Sequence, residues 1–167
     1  MTDADEIQAD DAADGAEDRV LIVDFGSQVT QLIAMRVREA GVYSEIVPFD
    51  KAAEALARAT PRAIIRAGGP ASVHESGTPQ APNTVFNAGV PVLGICYGLQ
   101  LMGKLLGGHA KPGGKHEYGR AQLRVTHPEC PLWQGLDPAE ELAVWMSHGD
   151  RIDRLPDGLV GIAASDH

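Results

Sequence analysis

The sequence predicts an α/β fold, in which an open, mixed but mainly parallel sheet carries helices on both faces. Short apolar runs typical of buried strands alternate with segments of helical period between residues 20 and 106. A loop rich in glycine, serine and proline follows one such run, at the sheet edge where open α/β proteins build their sites. The length of 167 residues suits a domain with a sizeable core.

Four strands and three main helices are predicted before residue 107. The strands are predicted at residues 20–25, which form an apolar run ending at Asp24, and at 42–49, 63–66 and 90–95. The helices cover residues 28–40, 50–59 and 97–106, with a brief additional helix at 82–88. Three details are predicted within them: Val29, Leu32, Ile33 and Val37 at helical period, Asp50 as a cap, and an apolar face of Leu99, Met102 and Leu106.

The pattern changes after residue 110, where no long helix is predicted. Residues 121–126, 142–147 and 159–164 are predicted strands joined by turns. We expect them to extend the same sheet in antiparallel or mixed fashion.

Charge divides the chain into a tail and a domain. The formal net charge is −9, and residues 1–18 hold eight acidic residues and no basic one. Such a segment cannot bury enough apolar surface to offset its ordering entropy, so residues 1–18 are predicted to be a disordered acidic tail before a domain at 19–167. The absence of a basic patch argues against nucleic-acid binding.

Localisation is predicted from what the sequence does not contain. There is no signal-peptide pattern, and no apolar run approaches the ~20 residues that span a bilayer. The two cysteines, Cys96 and Cys130, form no disulfide framework. We therefore expect a cytoplasmic protein with free thiols.

A Gly-x-Cys-x-Gly pattern, Gly94 to Gly98, stands between a predicted strand and a predicted helix. This is the spacing of a nucleophile elbow with cysteine as nucleophile, because side chains at both flanking positions would collide in so tight a turn. The helix N-terminus favours a thiolate at Cys96, and the amide of Tyr97 would face an oxyanion. A second amide is expected from the Gly68-Gly69 loop. The alternatives are a buried structural cysteine and a plain Gly-Pro turn.

With these motifs placed, the sequence resembles the class I glutamine amidotransferases, and within them the N-terminal glutaminase region of the GMP synthase branch. The matching stretches lie between residues 20 and 150: VLIVDFGSQVTQLIAMRVREAGVYSEIVP, GGPASV, PVLGICYGLQLMGKLLGG, EYGRAQL and VWMSHGD. The resemblance implies a flavodoxin-like fold and hydrolysis of glutamine through a cysteine thioester.

The resemblance also implies roles for individual residues. Cys96 would be the nucleophile, and the amides of Gly69 and Tyr97 would form the oxyanion hole. Gln100, Ser147 and His148 would bind the substrate. The glutaminase part would need no cofactor and no metal. Its ammonia would pass to a GMP synthetase (ATP pyrophosphatase) domain or subunit, which uses ATP and Mg²⁺ to convert XMP to GMP in purine biosynthesis.

The sequence departs from the family pattern in two places. The family's catalytic His and Glu lie in an HPE segment beyond SHGD, and this chain reaches only His167, so we expect an incomplete domain that is poorly active alone. His127-Pro128-Glu129 has the same letters but stands before SHGD, where a surface turn is predicted. Arg66-Ala67 replaces the apolar-Ser pair usual before GGP.

Two other functions remain open. One is a different cysteine hydrolase of the same superfamily built on the same elbow. The other is a non-catalytic or partner-dependent module that docks on a separate synthetase subunit.

Overall fold

The structure, a computed structural model, describes residues 18–137 and 139–165, with the side chains of 113–117 excepted. Apart from Asp18, the predicted acidic tail lies outside the described residues. The chain divides into two compact units, with the boundary between Met102 and Gly103.

The first unit contains a four-stranded parallel sheet. Its strands are β1 (Arg19–Asp24), β2 (Tyr43–Pro48), β3 (Ala63–Arg66) and β4 (Val92–Gly94). Their order is β2-β1-β3-β4, and every neighbouring pair is parallel. The predicted α/β class and the four strands are confirmed. The order reverses between β1 and β3, and in such sheets a binding crevice lies beyond the carboxyl ends of the strands at this point.

The helices are α1 (Thr30–Glu39), α2 (Ala52–Arg58) and α3 (Tyr97–Leu105), and each is shorter than predicted. The connections through α1 and α2 run in opposite directions along the sheet. Because such crossovers are right-handed, the two helices lie on opposite faces. A single 3₁₀ turn at Phe49–Lys51 precedes α2. A second one at Asn83–Val85 stands where the brief helix was predicted at residues 82–88.

Three helix predictions are wrong in detail. Lys51, not Asp50, precedes the first residue of α2, and no side chain caps that helix. Leu32 is exposed on α1, where Ala34 supplies the buried contact. Leu99 on α3 and Leu106 just beyond its end are exposed, while Tyr97 and Leu101 are buried. On α1 and α3, tertiary packing buries a small or neighbouring residue in place of the one that the period favours.

The core of this unit is built by the central strands. Leu21, Ile22, Val23 and Ile64 are completely buried. On one face, Ile22 packs with Ala34 of α1 and with Ala67, which follows β3. Strands buried on both faces read as continuous apolar runs, which is why β1 and β3 were recognisable from sequence.

The second unit contains a separate antiparallel sheet, so the predicted extension of the parallel sheet is wrong. Its strands are β5 (His109–Val125), β6 (Leu142–Arg154) and β7 (Ala163–Ser165), in the order β6-β5-β7. The pairing is antiparallel, as expected. Strand β6 pairs along most of β5, whereas β7 pairs only with its last three residues, Leu123 to Val125.

Candidate active site

Three loops of the first unit converge beyond the ends of β1, β3 and β4. The β3 loop is central: a Cβ built on Gly68 would lie 3.4 Å from Cys96 Cβ and 3.5 Å from Ser27 Oγ. A side chain of one carbon would thus reach van der Waals contact with both neighbours, so the three loops lie close together at Gly68. The convergence occurs next to the reversal of strand order, where the fold predicts a site.

Cys96 has an unusual backbone conformation. Its φ is +51°, and it is the one non-glycine residue with positive φ in the described ranges. A left-handed conformation at a residue with a side chain costs roughly 1–3 kcal/mol and persists where the surrounding structure enforces it. The thiol is half-buried and free of any disulfide. A strained, partly accessible cysteine between a strand and a helix is the geometry that a nucleophile elbow requires.

The glycines on either side of Cys96 are required by backbone contacts. A Cβ on Gly94 would lie 2.7 Å from Leu99 Cα, and one on Gly98 would lie 2.3 Å from the Arg66 carbonyl oxygen. Both distances are shorter than real Cβ contacts allow. The steric argument made from the Gly-x-Cys-x-Gly spacing therefore has a specific basis in this structure.

Helix α3 begins at the elbow. The carbonyl oxygen of Cys96 accepts hydrogen bonds from the amides of Leu99 and Gln100, both at 3.0 Å. Tyr97 is completely buried, and its hydroxyl donates to the Pro79 carbonyl at 2.6 Å. Gln100 is also buried, one helical turn beyond the nucleophile position. The first turn of the helix is thus fixed by the burial of Tyr97 and by the hydrogen bonds to the Cys96 carbonyl.

The Gly68-Gly69 loop packs against the end of β1. A Cβ on Gly69 would lie 2.6 Å from the Phe25 carbonyl oxygen, and the amide of Ala67 donates to the Val23 carbonyl at 2.9 Å. These contacts fix the path of the backbone beside Cys96. The loop is therefore preorganised, as a donor of a backbone amide to a reacting carbonyl must be.

Asp24 organises the loop after β1. Its Oδ1 accepts hydrogen bonds from the amides of Gly26 (3.0 Å) and Ser27 (3.2 Å) and from the hydroxyl of Thr30 (2.7 Å). Asp24 therefore caps the turn that follows β1. The bonds tie Ser27, which contacts the β3 loop, to the start of α1.

Replacement of Asp24 by alanine is expected to destabilise the first unit by about 1–3 kcal/mol, because three donors lose a charged acceptor. Thermal unfolding followed by circular dichroism measures the effect. Asp24→Asn keeps one acceptor oxygen and should recover part of the loss. Equal stability of Asp24→Ala and the unaltered chain would contradict the role given to this carboxylate.

The residues predicted to bind substrate fall in both units. Gln100 lies in the first unit with Cys96, Gly69 and Tyr97. Ser147 and His148 lie on β6 of the second unit, where consecutive side chains point to opposite faces of the sheet. Ser147 is exposed and pairs in register with Tyr118, whereas His148 is half-buried.

The other histidines described with side chains have local roles. His127-Pro128-Glu129 forms a turn after β5, with Pro128 and Glu129 exposed, so the predicted surface turn is confirmed. His109 Nδ1 lies 2.6 Å from Asp153 Oδ1, and this hydrogen bond, with Lys111 nearby, lowers the pKa of the Asp153 carboxyl. Within the described ranges no three His, Cys, Asp or Glu side chains are grouped to hold a metal ion.

Sequence reasoning missed the surroundings of Arg66 and the position of Ser27. Arg66 ends β3, and its side chain is completely buried below the elbow. Its guanidinium carbon lies 5.4 Å from the Phe25 ring centroid and 4.8 Å from that of Phe86. Burial lowers the pKa of this guanidinium to about 10. The sequence signal that could have revealed this was Arg66 itself, a basic residue at a position where an apolar strand is expected to be buried.

The sequence matches the family described as glutamine amidotransferase class-I over residues 21–167. Its relatives include the GMP synthase [glutamine-hydrolyzing] of Rhodopseudomonas palustris strain BisB18, 56% identical over 149 residues. The same enzyme of Acinetobacter baylyi is 52% identical over 149 residues. In both cases 89% of this chain is matched. The chain spans only 28% and 27% of the length of these two relatives.

Solved structures show the same fold. A protein from Thermoplasma acidophilum, described as one subunit of a GMP synthase, has a TM-score of 0.69 at 27% identity over 89% of this chain and 73% of its own. A glutamine amidotransferase from Thermotoga maritima has a TM-score of 0.65 at 19% identity, over 89% of this chain and 67% of its own. In the part of the chain that the structure describes, no helix is long and apolar enough to cross a membrane.

Proposed function

Because the chain belongs to the class-I glutamine amidotransferase family, we propose that it is the glutamine-hydrolysing part of a GMP synthase. The observation that carries this proposal is the backbone of Cys96, held at a φ of +51° between two sterically required glycines. A structural cysteine has no need of this strain. A nucleophile displayed at the start of a helix does.

The proposed reaction has two steps. The Cys96 sulfur attacks the side-chain amide carbon of glutamine, and the amide nitrogen leaves as ammonia once it is protonated. Water then cleaves the glutamyl thioester and releases glutamate, which restores the thiol. In both steps the carbonyl oxygen becomes an oxyanion, and we assign its stabilisation to the amides of Gly69 and Tyr97.

Substrate binding is assigned to three further residues. Gln100 is buried one turn beyond Cys96, where an amide side chain can hold a polar part of the substrate. Ser147 and His148 are assigned to the amino-acid end of glutamine, partly through backbone groups. These assignments follow the family motifs that the two stretches match.

The proposal for the whole protein extends beyond this chain. The relatives are about three times its length, and they are called glutamine-hydrolyzing GMP synthase. We propose that the ammonia is delivered to a synthetase domain or subunit, which uses ATP and Mg²⁺ to form GMP in the cytoplasm. The longer relatives contain this region within one chain, whereas the solved relative is described as one subunit, so the proposal keeps both a domain and a subunit as the partner.

Covalent labelling tests the proposal. Diazo-oxo-norleucine, a reactive glutamine analogue, should attach to Cys96, and glutamine should slow the labelling. Cys130 is the matched control, since it is also free and half-buried. We expect Cys96→Ser to abolish labelling and Cys130→Ser to leave its rate unchanged, as read by peptide mass spectrometry.

Two results would contradict the proposed function. Equal labelling of both cysteines would indicate ordinary thiol reactivity. Labelling of Cys96 that glutamine does not slow would indicate a different cysteine hydrolase. A partner-dependent module is distinguished by a gain of labelling rate when the synthetase partner is added.

A further inference from the structure

A small open space lies beside the elbow, over Gly68 in the first unit. A Cβ built on Gly68 would lie 3.4 Å from Cys96 Cβ and 3.5 Å from Ser27 Oγ, which are contact distances without a clash. There is therefore room for a carbon-sized group between the cysteine and the serine hydroxyl. Cys96 and Ser27 are both half-buried, so each keeps part of its surface accessible to a ligand.

Ser27 is held at this space by hydrogen bonds within its own loop. Its amide donates to Asp24 Oδ1 at 3.2 Å, and its Oγ accepts the amide of Val29 at 3.2 Å. The preceding residue lies close to the β3 loop, since a Cβ on Gly26 would lie 3.5 Å from Pro70 Cδ. The serine hydroxyl is therefore preorganised beside Gly68, and a ligand need not order it on binding.

The Ser27 hydroxyl keeps hydrogen-bonding capacity for a ligand. A serine oxygen has two lone pairs and one proton. Within the part of the chain that the structure describes, its one hydrogen bond is the one accepted from the Val29 amide, which uses a single lone pair. The second lone pair can accept a hydrogen bond from a group placed in the space over Gly68.

We propose that the Ser27 hydroxyl binds the nitrogen of the substrate's primary carboxamide. This inference rests on the proposed function, in which Cys96 attacks the side-chain amide carbon of glutamine. The backbone amides of Gly69 and Tyr97, assigned to the carbonyl oxygen, are donors and cannot bind an NH₂ group, which needs an acceptor. The Ser27 oxygen is an acceptor on the side of Cys96 that borders Gly68.

This contact would orient the flat carboxamide in front of the thiol. Donors at its oxygen end and an acceptor at its nitrogen end favour one of the two orientations of the group. In that orientation the oxygen faces the amides of Gly69 and Tyr97, where negative charge develops during attack. Such alignment of the reacting atoms before reaction is itself a source of rate enhancement.

Protection of Cys96 from diazo-oxo-norleucine by glutamine tests the proposal. The quantity measured is the glutamine concentration that halves the labelling rate. In Ser27→Ala it should rise about 5-fold, the effect of one neutral hydrogen bond on affinity. The rate of labelling without glutamine should stay the same, because the label has a diazo carbon where glutamine has the amide nitrogen. Ser27→Thr keeps the hydroxyl and should restore protection.

Ser72→Ala is the matched control. Like Ser27, Ser72 is half-buried, and its Oγ accepts the amide two residues further on, that of His74, at 3.2 Å. The substitution therefore removes a turn hydrogen bond of the same kind. We expect it to leave the protecting concentration of glutamine unchanged.

Three results would overturn this inference while the proposed function stands: full protection in Ser27→Ala, the same loss of protection in Ser72→Ala, or a loss of labelling rate in Ser27→Ala that matches its loss of protection. The last result would show that Ser27 only supports the loop. If glutamine fails to protect even the unaltered chain, the proposed function fails, and this inference fails with it.

Should Ser27→Ala fail to fold, a crystal structure of Cys96→Ala with bound glutamine decides the question. A side-chain amide nitrogen within hydrogen-bond distance of Ser27 Oγ supports the inference. A carboxamide turned away from that oxygen excludes it.

Discussion

Substitution of Gly98 by alanine is expected to disable the elbow. The new Cβ would lie 2.3 Å from the Arg66 carbonyl oxygen and 2.6 Å from that of Ala67. Both are backbone atoms of the strand end, so the start of α3 must shift instead. Overpacking of this kind costs about 3 kcal/mol. A displacement of about 1 Å at the nucleophile lowers reaction rates about 100-fold.

The measurements are thermal unfolding and the rate at which diazo-oxo-norleucine labels Cys96. Gly161→Ala is the matched control, because a Cβ there meets nothing within 4 Å. It should unfold at the same temperature as the unaltered chain and be labelled at the same rate. A Gly98→Ala chain that behaves like this control would show that the elbow does not depend on close approach at residue 98.

Substitution of Arg66 by methionine is expected to stabilise the protein, because the guanidinium is completely buried and its nitrogens have no hydrogen-bond partner among the described residues. Methionine fills a similar volume with apolar atoms and removes the uncompensated buried charge, and such exchanges stabilise by about 1–4 kcal/mol. Arg19→Met should do the opposite, because it removes a buried cation that has partners and leaves those partners unmatched. Denaturant unfolding of the two variants measures the difference.

The difference in free energy of unfolding between Arg66→Met and the unaltered chain should become smaller at high pH. The folded state releases the Arg66 proton as pH rises through about 10, while the unfolded state keeps it to a higher pH. The penalty for the buried charge is therefore complete below about pH 10 and is lost progressively above it. Other groups titrate there as well, so the quantity to follow is the difference between the two proteins. A difference in unfolding free energy that stays constant from pH 7 to pH 11 would contradict this account.

The central strands and the elbow were predictable because local chemistry determines them. Residues 20–23 are apolar without interruption, a pattern that fits a strand covered on both faces. Gly94 and Gly98 indicate a tight turn around Cys96, because the turn requires glycine at positions only a few residues apart. The cap formed by Asp24 is equally local, because its partners, Gly26, Ser27 and Thr30, are all nearby in the chain.

The features that sequence reasoning missed depend on contacts between distant segments. The partners of β5 lie in residues 142–154 and 163–165, and nothing local shows that these strands form a sheet of their own. An arginine at a strand end usually extends its charged end to water. That Arg66 is instead enclosed depends on the packing of Phe25, Phe86 and Tyr97, which periodicity does not reveal.

The most direct test of the Cys96 site is a crystal structure of the protein labelled with diazo-oxo-norleucine. We predict a thioether at Cys96 Sγ, with the carbonyl oxygen of the label within hydrogen-bond distance of the amides of Gly69 and Tyr97. A label whose oxygen points away from both amides, or one attached at Cys130, would contradict the account of this site as the place where glutamine is cleaved.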